Sequence, residues 1–329
     1  MNSEPVLKAT WNHKVEWIST HWREHLMKCL ARWSAWVLAL VMLTTLTGCG
    51  QKPNKTSKPS LPVIRYALNT SSSLLTLPLQ IALKLHFFQD EHIQVKRVPP
   101  LHADLTISES RPEWPVIGCV ASRPDLVIAS PVPDPHFRLR ALNRLSVVYA
   151  ANLNSSLSLV RGVMNLNRTH PSFSSIPFRR LATLWAQHRL PWAVVSLKQF
   201  FTLRRKDPQA VILNWLGAST GPIPVVTISG QSPHSVQFLR ALNLALWYLH
   251  TSSPHTITQV LAGNSSNPFL DQEIQTGIHF DLWPQTTLVS PQEYNRGRAL
   301  YGLGNPEVWP PFFSGVNTQL SRQALSVQY

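Results

Sequence analysis

A serine between two glycines offers the most familiar catalytic pattern in the sequence. Residues 217–221 read GASTG, which fits the G-x-S-x-G arrangement of serine hydrolases. In those enzymes the serine lies on a sharp turn and a helix follows directly. Here Pro222 and Pro224 follow, and residues 225–230 (VVTISG) then read as a strand. We therefore reject a serine nucleophile at this position.

Histidine and cysteine could supply metal ligands or a second kind of nucleophile. His86 and His92 are six residues apart, so they cannot share a helix face as zinc ligands do. His250 and His255 stand on either side of a proline helix start. Three cysteines give neither a disulfide framework nor a cysteine metal site, and we expect Cys119 to be a small buried residue. The sequence thus predicts no catalytic residue, no metal site and no cofactor.

Cys49 has different surroundings from the other cysteines. It follows an uncharged, mostly apolar run at 33–48, with a lysine and an arginine upstream. The run is short for a membrane span, which takes about 20 apolar residues, and it has the marks of a signal peptide. Residues 46–49 (LTGC) also resemble the bacterial lipobox, whose cysteine becomes a lipidated N-terminus. We expect residues 1–48 to be a lipoprotein signal peptide and Cys49 to carry the lipid that holds the protein on the membrane.

Two alternatives remain for this region. The apolar run could be an uncleaved anchor helix, and Met27 could be the true start of the chain, because a start there gives a signal of ordinary length. Residues 49–60 contain three lysines and two prolines after the cysteine, so they are predicted to be a flexible tether.

The positive charge limits the possible partners. The first 48 residues hold five of the 30 Lys and Arg and three of the 16 Asp and Glu, so the remainder has a net charge of +12. These charges are scattered, without the aromatic-interleaved basic stripe of a nucleic-acid binder. We expect a basic solvated surface and no nucleic acid partner.

The residues after the tether predict an α/β fold. Residues 62–68 (PVIRYAL) alternate like a strand, a polar loop follows at 69–73, and apolar residues then recur at helical spacing from residue 77. Residues 93–98 (IQVKRV) alternate again. Strand, loop, helix and strand form the opening βαβ unit of a sheet with parallel strands.

This opening resembles that of substrate-binding proteins of nitrate, sulfonate and taurine ABC importers, a superfamily that includes binders of thiamine-precursor pyrimidines. The matching positions are Ala82, Phe87, Phe88, Ile93 and Val95. Two glycines of the family pattern are replaced by histidines 86 and 92, which adopt left-handed turn geometry only uncommonly.

The resemblance continues through most of the chain. Residues 123–132 (RPDLVIASPV) resemble a family core strand preceded by Asp125, and residues 232–263 resemble a helix pair starting at two Ser-Pro steps and stopping at Gly263. Between residues 152 and 230 the match is weakest. We expect strands at 156–163 and 191–197 there, without the family's glycine-serine loop.

The implied architecture is a periplasmic-binding-protein type II-like fold, with two α/β lobes around a cleft. Residues 61–150 and 231–329 would form lobe 1, and residues 151–230 would form lobe 2, which the weak match predicts to be reduced. Such lobes close on a solute by hinge motion.

The implied function is a lipid-anchored, extracytoplasmic, monomeric solute receptor that delivers a nitrate, sulfonate or thiamine-precursor pyrimidine to an ABC permease and its ATPase. A family member that has lost solute binding and serves as an envelope or interaction lipoprotein is the alternative. The cysteine cluster of related thiamine-pyrimidine synthases is missing, so an enzyme is not expected.

Loops at the carboxyl ends of the strands would bind the solute. The alternative for residues 69–73 is an ordinary capping loop. The alternative for Trp192 is a position in the core. The side chains expected to contact the solute are Asn69, Thr70, Ser71, Ser72 and Ser130 from lobe 1, with Asn152, Trp192 and Ser196 from lobe 2.

Overall fold

A computed structural model describes residues 60–70, 72–109, 115–263, 267–304 and 309–326, which together form one compact unit. The predicted signal peptide, Cys49, nearly all of the tether and Ser71 lie outside these residues. No helix within the described ranges is both long enough and apolar enough to cross a membrane.

Ten strands and eleven α-helices are found in the described ranges. The strands are β1 (Val63–Asn69), β2 (Gln94–Arg97), β3 (Leu105–Glu109), β4 (Val116–Ala121), β5 (Leu126–Ser130), β6 (Ser146–Ala150), β7 (Ser172–Ile176), β8 (Ala193–Ser196), β9 (Val211–Trp215) and β10 (Val226–Gly230). The helices are α1 (Leu77–Lys84), α2 (Phe87–Asp90), α3 (Leu157–Leu166), α4 (Phe178–Ala186), α5 (Leu197–Arg204), α6 (Ser235–Thr251), α7 (Pro254–Ala262), α8 (Pro268–His279), α9 (Pro291–Gly304), α10 (Phe312–Gly315) and α11 (Thr318–Leu325).

The strands form two five-stranded sheets. The first has the order β2-β1-β3-β10-β4, in which β10 runs antiparallel to both of its neighbours. The second has the order β7-β6-β8-β5-β9, in which β5 runs antiparallel to both β8 and β9. The predicted α/β class with two lobes is thus confirmed, and we call the part of the chain around each sheet the first and the second lobe.

Two short segments connect the lobes. The chain leaves the first sheet after β4 through residues 122–125 and returns before β10 through residues 216–225. The segments are bonded to each other, because Ile223 N donates to Ser122 O at 2.8 Å. Trp215, the last residue of β9, adds a bond from its Nε1 to Pro124 O at 2.8 Å. The chain therefore changes lobe directly at strand ends.

The sheets divide the chain differently from the predicted lobe boundaries. Strands β5 and β6 fall within residues 61–150 but belong to the second sheet, and β10 falls within residues 151–230 but belongs to the first. The second sheet also has as many strands as the first, so the reduction expected for lobe 2 does not extend to its sheet.

One predicted strand is wrong. Residues 156–163 were expected to be extended because serine and leucine alternate there, but residues 157–166 form α3. The buried residues Leu159, Val160, Val163 and Met164 recur at helical spacing and form the inner face of the helix. The helical period outweighs an alternation that spans only four residues.

The predicted helix pair is present, with one start displaced. Ser253 accepts a hydrogen bond from Thr256 N and Pro254 occupies the first turn, as expected for a capped start. Gly263 ends that helix with a φ of 65°. The first helix of the pair begins at Ser235 rather than at the Ser-Pro step before it.

The two histidines at positions where the resemblance predicts glycine have a glycine-type backbone. His86 has a φ of 62° and His92 a φ of 58°, so both are left-handed, on either side of α2. The short turn therefore survives the substitutions at the expense of local strain.

Candidate functional site

Strand register identifies the two sheet edges that lie near each other. In the first sheet, β1 and β3 run parallel and end at Asn69 and Glu109. In the second sheet, β6 and β8 run parallel and end at Ala150 and Ser196. Both connecting segments join these same edges, so the carboxyl ends of the parallel strands from both lobes lie around one cleft. This is the place where open α/β sheets bind ligands.

Glu109 is the central polar residue of the cleft. Its side chain is 5% exposed, and it accepts hydrogen bonds from Thr70 Oγ1 at 2.8 Å and from Ser156 Oγ at 2.5 Å. Thr70 follows β1 of the first sheet, whereas Ser156 directly precedes α3 of the second lobe. One carboxylate therefore joins groups from both sides of the cleft.

Asp125 is a second buried carboxyl at the cleft. It lies in the connecting segment before β5, is 1% exposed and accepts a hydrogen bond from Ser72 Oγ at 2.8 Å. Burial raises the pKa of Asp125 to about 7, and the negative charge of Glu109 adds to the rise. The Asp125 backbone carbonyl also accepts from Leu197 N at 2.7 Å, which ties the segment to the start of α5.

The second-lobe side of the cleft carries a further polar group. Ser196 and Gln199 form a reciprocal capping box at the start of α5. Gln199 Nε2 donates to Asn152 Oδ1 at 2.6 Å, and Lys198 Nζ donates to Ser73 Oγ of the first lobe at 3.0 Å. The start of α5 therefore contacts both lobes.

The structure brings most of the described candidate residues to this cleft. Asn69 is exposed at the end of β1, and Thr70, Ser72, Asn152 and Ser196 lie at the same edges of the two sheets. Ser71 lies outside the described residues.

Ser130 and Trp192 do not lie with the other candidates. Because β5 runs antiparallel to β8, Ala129 pairs with Ala193, and both residues are at the edge of the second sheet away from the cleft. Ser130 Oγ accepts from Val132 N within a turn, and Trp192 is half-buried against the core. The direction of β5 was not visible in its sequence.

Sequence reasoning missed Glu109, Ser156 and Gln199. Glu109 ends the alternating run LTISE, and an acid at the end of a buried strand was the available signal. Ser156 was assigned to a strand rather than to the residue before a helix. Neither of two cavities, of about 270 and 240 Å³, is lined by a cleft residue named above.

The described residues contain no cluster of three His, Cys, Asp or Glu side chains able to hold a metal ion. Ser219 of the GASTG stretch lies in a short 3₁₀ turn at 216–219 within the second connecting segment. No helix follows it before β10, so the strand-turn-helix geometry of a hydrolase elbow is not formed.

Solved structures of transport proteins share this fold. The alkanesulfonate-binding protein SsuA from Xanthomonas axonopodis pv. citri, bound to MOPS, matches with a TM-score of 0.53 at 14% identity over 77% of this chain and 99% of that chain. The periplasmic aliphatic sulphonate binding protein SsuA from Escherichia coli matches with a TM-score of 0.56 at 12% identity, covering 76% and 94%. The ligand-binding component of an ABC-type import system from Staphylococcus aureus, with zinc bound, matches with a TM-score of 0.54 at 13% identity, covering 80% and 99%.

These identities establish a likeness of fold alone, and the fold predicted from the sequence is confirmed. No family model matches the sequence, and no curated protein matches it.

Proposed function

We propose that the protein is a lipid-anchored extracytoplasmic receptor that binds a small polar solute in the cleft and delivers it to an ABC permease and its ATPase. The observation that carries the proposal is the meeting of Thr70, Glu109 and Ser156, which come from both lobes, at the edge where the parallel strands end. A solute held there would contact both lobes at once.

The two connecting segments supply the motion that such a receptor needs. Lobes joined by short segments close around a solute by rotation at the connections. Arg123 in the first segment lies 5.5 Å from the centre of the Trp215 ring beside the second, and its Nη1 donates to Gly217 O at 3.3 Å. These contacts keep the two segments together as one hinge.

The hydrogen-bonding groups of the cleft favour one solute class among those implied by the sequence. Glu109 and Asp125 place two carboxyl groups at the cleft, but Asp125 has a pKa of about 7 and Lys198 adds a positive charge nearby, so net charge alone does not select the solute. Nitrate and alkanesulfonates have no N–H group to donate to a carboxyl oxygen. A thiamine-precursor pyrimidine carries amino groups that can donate to a carboxylate, so we infer an aminopyrimidine-type solute rather than an oxyanion.

The membrane anchor and the transport partners are part of the same proposal. A lipid on Cys49 and the lysine-rich stretch up to residue 60 would hold the receptor near a permease while leaving it free to rotate. The charge pattern gives no reason to add a nucleic acid partner, and the receptor would act as a monomer.

A second candidate is an envelope or interaction lipoprotein that no longer binds a solute. The observation in its favour is that polar groups of the cleft bond one another, as in the Ser72–Asp125 and Asn152–Gln199 pairs. A solute would have to displace or extend these bonds.

A thermal-shift screen of the purified full-length chain in detergent separates the two candidates. The panel holds aminopyrimidines, nitrate, bicarbonate, taurine and alkanesulfonates. A ligand at 100 times its Kd stabilises the native state by about 2.7 kcal/mol, which raises Tm visibly. We expect an aminopyrimidine response that Glu109→Gln removes and that Asp134→Asn, an exposed change outside the cleft, leaves intact.

A sharp melt with no response to any member of the panel would favour the lipoprotein without solute binding. A response to sulfonates alone would support a receptor and overturn the inferred solute class.

A further inference from the structure

Helix α9 belongs to the first lobe at both of its ends. Before it, Cys119 N of β4 donates to Thr287 O at 2.9 Å. After it, Asn317 N donates to Val116 O at 2.8 Å, and Val316 forms a bridge with the same strand. The chain is therefore attached to the first sheet both before and after α9.

Between those attachments α9 packs along α3, which follows β6 of the second sheet. Two glycines allow the backbones to touch. A Cβ on Gly162 of α3 would overlap the carbonyl oxygen of Leu300, and a Cβ on Gly304 of α9 would overlap the carbonyl oxygen of Ser158. Asn165 Nδ2 adds a bond from α3 to Leu303 O at 2.7 Å. This is a close fit that only small residues permit.

Helix α9 also contacts the hinge. Arg296 Nη1 donates to Pro222 O at 3.1 Å, and Gly297 lies against Pro224 of the second connecting segment. Tyr301 of α9 also stacks on Trp309, with 4.9 Å between the ring centres. The helix is thus attached to the first lobe and the hinge while it contacts the second lobe.

Helix α3 connects this contact to the cleft. Ser156, directly before α3, donates to Glu109 of the first lobe, so the start of α3 is bound across the cleft and its body is bound to α9. A rotation of the second lobe that separates Ser156 from Glu109 would also move α3 against α9, because both contacts involve α3. Two helices whose backbones touch have few intermediate arrangements, so they either stay packed against each other or separate.

We propose that α9 is a strap that holds the two lobes in the closed arrangement when no solute is bound. The inference concerns the resting position of the lobes, so it stands or falls separately from the choice of solute.

Distance measurement between the lobes tests the strap. Ketone-bearing residues introduced at the exposed positions Lys84 and Ala186 take spin labels without using the native thiols. Pulsed electron resonance on the full-length chain without solute should give one narrow interlobe distance. A wild-type chain in which a longer distance dominates would overturn the proposal.

Three variants locate the cause. Gly304→Ala forces α9 away from α3 and should add a longer interlobe distance. Gly302→Ala lies on the same helix, but its new Cβ has no atom within 4 Å, so this variant should match the wild type. Asn165→Ala removes one interhelical bond without adding volume, and its other lost contact, with His170 Nδ1, lies within the second lobe. It should therefore raise the ratio of long to short distances by about fivefold, the factor for one hydrogen bond. If Gly304→Ala does not fold, Asn165→Ala decides the question.

A folded Gly304→Ala or Asn165→Ala variant with the wild-type distance distribution would overturn the strap. The solute screen is a separate outcome. A wild-type chain that is closed and responds to no solute would support the strap and contradict the receptor function. A wild-type chain that is open and binds a solute would contradict the strap and support the receptor function.

Discussion

Ser156 and Glu109 are joined across the cleft by a hydrogen bond of 2.5 Å, from a hydroxyl in one lobe to a carboxylate in the other. The two residues are 47 positions apart in sequence, and Glu109 ends β3 of the first sheet whereas Ser156 precedes α3 of the second lobe. Both are buried, so the bond is shielded from water and the loss of either partner should be felt in stability.

Replacing Ser156 with alanine removes the hydroxyl that donates to Glu109 from the second lobe. A buried acceptor left short of a donor costs about 1–3 kcal/mol, so the free energy of unfolding should fall by about 2 kcal/mol. Urea unfolding measures the change. Thr202→Ala, which removes a hydroxyl bonded within its own helix on a half-buried residue, is the matched control and should change stability by less than about 0.5 kcal/mol. Equal losses in both variants would contradict the role given to Ser156.

Asp125 should make the protein less stable as pH rises through the acidic range. Its pKa is about 7 in the folded state against an ordinary value of 3.8 for an aspartate, so between these values the folded chain keeps a proton that the unfolded chain has lost. Raising the pH then favours unfolding, with a slope of at most about 1.4 kcal/mol per pH unit. The loss of stability caused by Asp125 is absent below its pKa in the unfolded chain and complete above its pKa in the folded chain.

Urea unfolding at a series of pH values tests this dependence. Asp125→Asn keeps an acceptor for Ser72 Oγ and cannot ionise, so its stability should change less between pH 4 and about 7. Asp134→Asn, on an exposed turn, should follow the wild-type curve. A wild-type curve that runs parallel to that of Asp125→Asn throughout this window would show that Asp125 does not keep its proton in the folded protein.

His86→Gly and His92→Gly should stabilise the protein. Both histidines are exposed and have positive φ, a conformation that costs a non-glycine residue about 1–3 kcal/mol. Part of that gain is lost because glycine is more flexible in the unfolded chain, which leaves about 0.5–1 kcal/mol for each change. Thermal and urea unfolding measure it. Alanine at the same positions keeps the strain, so His86→Ala should not stabilise, and a stabilising alanine would exclude backbone strain as the cause.

Cys119 should resist alkylation while the protein is folded. Its thiol is 4% exposed, and burial raises its pKa to about 12. At pH 8 only about one thiol in ten thousand is then ionised, and only the thiolate reacts. Iodoacetamide treatment followed by mass spectrometry of the Cys119 peptide should show modification in 8 M urea only, whereas a Gln89→Cys thiol on exposed α2 should react at once. Fast native modification would place Cys119 outside the core.

Local patterns predicted the opening of the fold because its signals are short-range. The alternation in β1, the helical spacing in α1 and the proline in its first turn each depend on neighbouring residues. The failure at α3 has the same origin, since serine–leucine alternation over four residues imitates a strand while burial follows a longer helical period.

Long-range pairing explains what the sequence did not reveal about the cleft. Ser130 was placed there on the assumption that β5 runs with the other strands, and its antiparallel pairing with β8 moved it to the opposite edge. Glu109 was overlooked because its partners Thr70 and Ser156 are 39 and 47 residues away. Contacts at such separations depend on topology and have no local signature.

The position of β10 between β3 and β4 has a consequence for how the protein is made. The two strands are neighbours in sequence but cannot bond each other in the finished sheet, because residues 226–230 lie between them. While the chain is being synthesised, the first sheet stays split until the whole second sheet has emerged. Such non-local pairing slows folding. In any chain that ends before residue 226, the edges of β3 and β4 that normally pair with β10 stay unpaired, and they can form strand pairs with another chain.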